Sequence, residues 1–144
     1  MNQYRMTALA VFAFAAVCPS WAATPNQVGT YAGSLKQKVY TPAGRTNEKL
    51  LMTVEIAADN TTTVTLDGVQ QAPVSLGNGY GPTEGFFTFR NPAFAEGVSA
   101  YLVTAHFKKT SLSGTITGSD LNGIDPGSQV IRNVEGKFKL KKLP

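Results

Sequence analysis

The chain has 144 residues, 42% hydrophobic and 15% charged, with 13 Lys and Arg against 9 Asp and Glu, a formal net charge of +4. So small a positive excess excludes a dedicated nucleic-acid binder, in which basic residues gather on one face or arm. One cysteine and one histidine exclude a disulfide framework and a histidine-rich zinc site.

Residues 1–22 read as a secretory signal peptide. Arg5 makes the n-region positive, residues 7–17 (TALAVFAFAAV) are almost entirely apolar, and Ser20 and Ala22 put small side chains where a signal peptidase reads. The mature chain then begins at Ala23, and an exported location, periplasmic or extracellular, is expected. The apolar run is too short to cross a bilayer, which needs ~20 residues, and nothing later approaches that length, so no transmembrane segment is expected. Cys18 lies inside this signal. As a lipid acceptor it would need a small residue before it and Leu two residues further back, and Val17 and Ala15 stand there instead, so it reads as filler. Residues 23–144 are the length of one domain, roughly 100 to 150 residues.

The mature sequence alternates with period two, the mark of a strand with one buried side. In the first strand, residues 30–41, Tyr31, Gly33, Leu35 and Val39 share a face. In the second, residues 49–57, Leu50, Met52, Val54 and Ile56 lie opposite Lys49, Thr53 and Glu55. A turn at Asp59-Asn60 leads into residues 61–67, where Val64 and Leu66 alternate with β-branched threonines. Shorter strands are expected at 72–76 and 85–90, and stronger ones at 99–108 and 112–117. A last strand, residues 129–143, buries Phe138 and Leu140 and leaves Lys137, Lys139 and Lys141 in water, with Lys142 at a frayed end. The C-terminal lysines therefore read as the wet face of a strand, where they also deter wrong pairing. Helical spacing is absent after the signal, apart from a single turn near residues 92–96.

Eight strands with no helical crossover call for antiparallel pairing, and closing such a sheet removes both edges. The expected fold is all-β, an eight-stranded antiparallel up-and-down barrel, with a two-sheet β-sandwich as the alternative. Gly29-Thr30-Tyr31 at the head of the first strand resembles the Gly-x-Trp opening of lipocalins, with Tyr in place of Trp. The resemblance implies a calycin-like barrel and transfers no functional residue.

No motif carries catalysis. The Gly-x-Ser-x-Gly elbow, the P-loop and the dinucleotide fingerprint are missing, and His106 falls on the outward face of its strand, opposite in phase to Phe107. Asp120-Leu-Asn122-Gly123-Ile-Asp125 has oxygen ligands at short spacing, but Gly123 comes too early and Ile124 occupies a ligand position of a calcium loop, so an ordinary turn is expected and no metal. Residues 77–82 (GNGYGP) precede no helix and read as a loop rather than a phosphate cradle. No cofactor is called for.

In an eight-strand meander the odd-numbered loops share one end. Here these are residues 42–48, 67–71, 91–98 and 119–128, three of them long, and binding on such scaffolds concentrates in long loops. The candidate residues for a ligand or partner are therefore Arg45, Phe94, Glu96, Asn122 and Asp125. The inward set is bulky, although Gly33, Ala105 and Gly114 would leave room for a pocket. Together these features describe an exported, non-enzymatic bacterial barrel that binds a small apolar ligand or a protein partner through its mouth and long loops. A packed accessory protein of the cell envelope is the alternative, and a loop-assembled hydrolase comes last.

Overall fold

The computed structural model describes residue 23 and residues 27–78, 83–89, 99–122 and 130–144. The expected signal peptide, residues 1–22, and the expected turn near 92–96 lie outside the described residues. The described residues hold no helix and ten strands: β1 (Gly29–Thr41), β2 (Gly44–Ile56), β3 (Thr61–Leu66), β4 (Val69–Gln70), β5 (Val74–Ser75), β6 (Gly77–Asn78), β7 (Glu84–Phe89), β8 (Ser99–Lys108), β9 (Ser111–Asn122) and β10 (Val130–Lys142). Neighbours run β4-β3-β2-β1-β10-β9-β8-β7-β6, all antiparallel, and the first long strand pairs with the last over Tyr31↔Lys142 to Tyr40↔Asn133.

One short segment spans the two ends of this curled sheet. β5 pairs with β3 through Thr61↔Ser75 and Thr62↔Val74, and β6, two residues on, pairs with β7 through Gly77↔Phe86 and Asn78↔Gly85. β5 and β6 together therefore fill the place of the single strand expected at 72–76, and the fold is the antiparallel up-and-down barrel. The ladder at this seam is short, and Asn60 reinforces it. Its side-chain amide donates to the Leu76 carbonyl at 2.8 Å, and the Leu76 N–H donates to the Asn60 carbonyl at 3.0 Å. Asn60 has φ 78°, a left-handed conformation that asparagine tolerates better than most residues.

Several boundaries differ from expectation, and the loop expected at 67–71 holds the short strand β4, paired with β3 through Thr65↔Gln70 and Leu66↔Val69. β2 begins at Gly44, so residues 42–48 are not a loop: Arg45, Thr46 and Asn47 pair with Tyr40, Val39 and Lys38 around a tight turn at Pro42-Ala43. Both faces of this hairpin arm are largely exposed, so its side chains carry no apolar alternation to read. β9 runs on to Asn122 because the inward positions past residue 117 are Gly118 and Asp120, which carry no apolar alternation to read. Lys142 does not fray. It pairs opposite Tyr31, its N–H donates to the Thr110 carbonyl at 2.9 Å, and its Nζ sits 5.6 Å from the Tyr31 ring centroid.

Alternation delivers the core. Tyr31, Leu35, Met52, Val54, Phe87, Val103, Phe107, Leu112, Ile116, Phe138 and Leu140 are buried, each fully buried apolar side chain contributing ~1.5–3 kcal/mol. Tyr31 and Phe107 meet edge to face with centroids 6.1 Å apart, and the Tyr31 hydroxyl donates to the Gln27 carbonyl at 2.9 Å. With Lys142 over the ring, this end of the barrel is plugged.

The glycine positions do not leave a pocket at this level. A Cβ on Gly114 would lie 2.8 Å from Phe138 Cζ, and one on Gly33 would lie 3.1 Å from Leu140 Cδ2. Large neighbours occupy the space the glycines vacate, so the middle of the barrel is a packed core. On the outer wall, Lys36 stands directly between Lys49 on β2 and Lys137 on β10. All three side chains are exposed, which lets water screen a like-charge row that would otherwise be costly.

Candidate functional site

At the opposite end from the Tyr31 plug, the inward phase changes character. Gln37 follows Leu35 on β1, Glu48 precedes Leu50 on β2, Asp120 follows Ile116 and Gly118 on β9, and Arg132 precedes Val134 on β10. Register brings these polar residues together, with Gln37 opposite Glu48 and Asp120 opposite Arg132. Tyr101, inward on β8, reaches the same place.

They form one connected network across five neighbouring strands. Gln37 Nε2 donates to Glu48 Oε2 at 2.9 Å, and Glu48 Oε1 lies 3.5 Å from Arg132 Nη2. Arg132 Nε is 3.9 Å from Asp120 Oδ1, while Asp120 Oδ2 accepts a short hydrogen bond from the Tyr101 hydroxyl. Asp120 is 4% exposed, so this carboxylate depends on its partners rather than on bulk water. Burial pushes the Tyr101 phenol well above its ordinary pKa, and the hydrogen bond and negative charge of Asp120 push it further against the opposing pull of Arg132. The phenol therefore stays a neutral donor through the physiological range.

A cavity of about 490 Å³ opens beside this network. Its walls are Leu50, Leu66, Val69 and Ile116, with Gln37, Glu48, Asp67, Gln71, Tyr101, Asp120 and Arg132 supplying the polar groups. The turn after β3 builds one side. Asp67, at φ 45°, ties itself to β2 by accepting from the Leu51 N–H at 2.6 Å and donating its own N–H to the Leu51 carbonyl at 2.9 Å. Gln71 is then folded inward at 3% exposure, its N–H donating to the Val64 carbonyl at 2.8 Å and its Nε2 to the Val69 carbonyl at 2.9 Å. Two buried acceptors on this cavity, Gln71 Oε1 and Asp120 Oδ1, have no hydrogen-bond donor among the described residues. A larger trough, about 570 Å³, runs over the outer wall between Lys36, Lys38, Glu135 and Lys137, but no buried polar group converges on it.

The cavity lies at the end expected from loop parity, yet its residues are different ones. Arg45 is exposed on β2 opposite Tyr40 and does not line it. Asn122 is the last residue of β9, and Phe94, Glu96 and Asp125 lie outside the described residues. Asp120 and Asn122 belong to a strand rather than to a turn, and Asp120 is turned into the barrel against Tyr101. His106 is exposed on the outer wall, as its phase requires. Sequence reasoning missed Gln37, Glu48, Gln71, Tyr101, Asp120 and Arg132 as a group. The available signal was a polar residue standing in the apolar phase of its strand, which Gln37, Glu48, Asp120 and Arg132 all do. No protein-family model matches this chain, and comparison with curated proteins finds no match either.

Proposed function

We propose that this protein is an exported barrel that binds a small molecule in the mouth cavity between β2, β3, β8, β9 and β10. One observation carries the reading: a cavity of about 490 Å³ with apolar walls and a convergent set of polar groups, within the ~300–1,000 Å³ usual for small-molecule sites. The packed core beneath it acts as a rigid floor, and the calycin-like head Gly29-Thr30-Tyr31 is compatible with such use. The apolar ligand expected from the sequence becomes a ligand with an apolar body and a polar end, since burying it against Asp120, Arg132 and Gln71 without hydrogen bonds would be costly. A protein partner is the second reading, favoured by Phe86 and Leu102. These are 49% and 44% exposed on the outer face of β7 and β8, set diagonally across the ladder, Phe86 opposite Thr104 and Leu102 opposite Thr88.

Mass measurement of the protein from its own host, under native and then denaturing conditions, tests the first reading. A native-only added mass of small-molecule size is expected, and Val69→Trp, at an exposed position on the cavity rim, is expected to remove it. No native-only mass, or one indifferent to Val69→Trp, would count against binding in the mouth.

A further inference from the structure

The polar lining of the mouth cavity is lopsided, and the imbalance points to a ligand class. Three carboxylates, Glu48, Asp67 and Asp120, face one guanidinium, Arg132, although the chain as a whole is basic. The hydrogen-bonding inventory leans the same way. Gln37 and Gln71 each donate one N–H, to Glu48 and to the Val69 carbonyl, the Tyr101 hydroxyl donates to Asp120, and the Arg132 guanidinium is held toward Glu48 and Asp120 at 3.5 and 3.9 Å. Among the described residues, the buried acceptors of this lining without a hydrogen-bond donor are Gln71 Oε1 and Asp120 Oδ1, the latter ion-paired at 3.9 Å with Arg132 Nε. Gln71 is 3% exposed and Asp120 4%, and a buried acceptor left unpaired is costly by itself.

Resting on the proposal that the mouth binds a small molecule, we propose that its ligand is a small cationic amphiphile: a primary ammonium or similar multi-donor cation on a short apolar chain. An ammonium presents three donors and no acceptor, which matches two open acceptors in an acidic lining. Its alkyl part lies against Leu50, Leu66, Val69 and Ile116. A carboxylate ligand would add negative charge beside Asp120 and Glu48 and bring no donor to Gln71. A neutral alcohol would satisfy one acceptor and leave the charge imbalance as it was.

Calorimetric titration of the folded protein with hexylammonium, hexanol and hexanoate tests this directly. Hexylammonium is expected to bind about tenfold or more tightly than either of the others, the difference a charge-assisted hydrogen bond makes. Glu48→Gln, at a half-exposed position that keeps an acceptor for Gln37, is expected to weaken hexylammonium severalfold and leave hexanol unchanged. Gln71→Leu, which removes one of the two open acceptors, is expected to weaken hexylammonium severalfold as well, with circular dichroism confirming its fold. Equal or tighter binding of hexanoate or hexanol overturns the cationic class while leaving mouth binding standing. If none of the three binds, the inference falls, and the native-mass comparison with Val69→Trp separately decides whether the mouth binds anything else.

Discussion

Replacing Tyr101 by Phe removes one oxygen atom and little else, which makes it a clean probe of the buried network. The hydroxyl is the hydrogen-bond donor that Asp120 has among the described residues, since Arg132 Nε, at 3.9 Å, is too far for a hydrogen bond. Asp120 is 4% exposed and cannot recover the loss by turning to bulk water. A hydrogen bond to a charged group is worth about 1.5–3 kcal/mol, and the ring itself stays packed, so Tyr101→Phe should cost about 2 kcal/mol. At roughly 4 °C per kcal/mol for a domain of this size, Tm should fall by about 8 °C. Urea unfolding followed by circular dichroism at pH 7 measures the change, and Asp120→Leu with the double variant completes a mutant cycle. The two substitutions should be strongly non-additive, with a coupling of at least 1 kcal/mol, because they share one interaction. A loss under about 0.5 kcal/mol at unchanged slope, or simple additivity, would show that the carboxylate does not depend on this phenol.

Lys36→Glu should stabilise the protein by about 0.5–1.5 kcal/mol, because it turns two directly opposed like-charge pairs, with Lys49 and with Lys137, into attractive ones. Urea unfolding at low salt and in 1 M salt checks it; the gain should largely vanish at high salt, where the screening length is ~3 Å, and a salt-independent effect would count against the electrostatic cause. Stability should also fall above pH ~10. Burial raises the pKa of both Tyr31 and Tyr101 above the value near 10 of the unfolded chain, so their contribution is complete below that pH and is lost as pH climbs toward the folded values. The slope should approach about 1.4 kcal/mol per pH unit for each phenol held neutral, and it should be shallower in Tyr101→Phe; equal slopes in the two proteins would refute the assignment.

Much of the fold was legible because period two is a local property. Wherever one face of a strand is buried, as in residues 49–57 or in Phe138 and Leu140 alternating with lysines, the pattern reports both the strand and its inward side. It fails where both faces meet water, which is why Arg45 to Asn47 read as a loop and are a paired hairpin arm. It fails again at β5 and β6, whose two-residue ladders with different neighbours are too short to carry a period.

The sequence by itself determined the all-β class and the inward apolar set, because burial follows from side-chain alternation; loop parity singled out one end of the barrel, the end where the polar cavity lies. Only the tertiary structure decided what lies at that end. Glu48, Tyr101, Asp120 and Arg132 stand on four strands and are widely separated along the chain, and nothing local links them. Register and barrel curvature bring them to one cavity, and the low exposure there turns ordinary polar residues into a connected network with open acceptors. The same closure fills the space beside Gly33 and Gly114 with Leu140 and Phe138, so the middle of the barrel is packed and the polar cavity lies at the mouth.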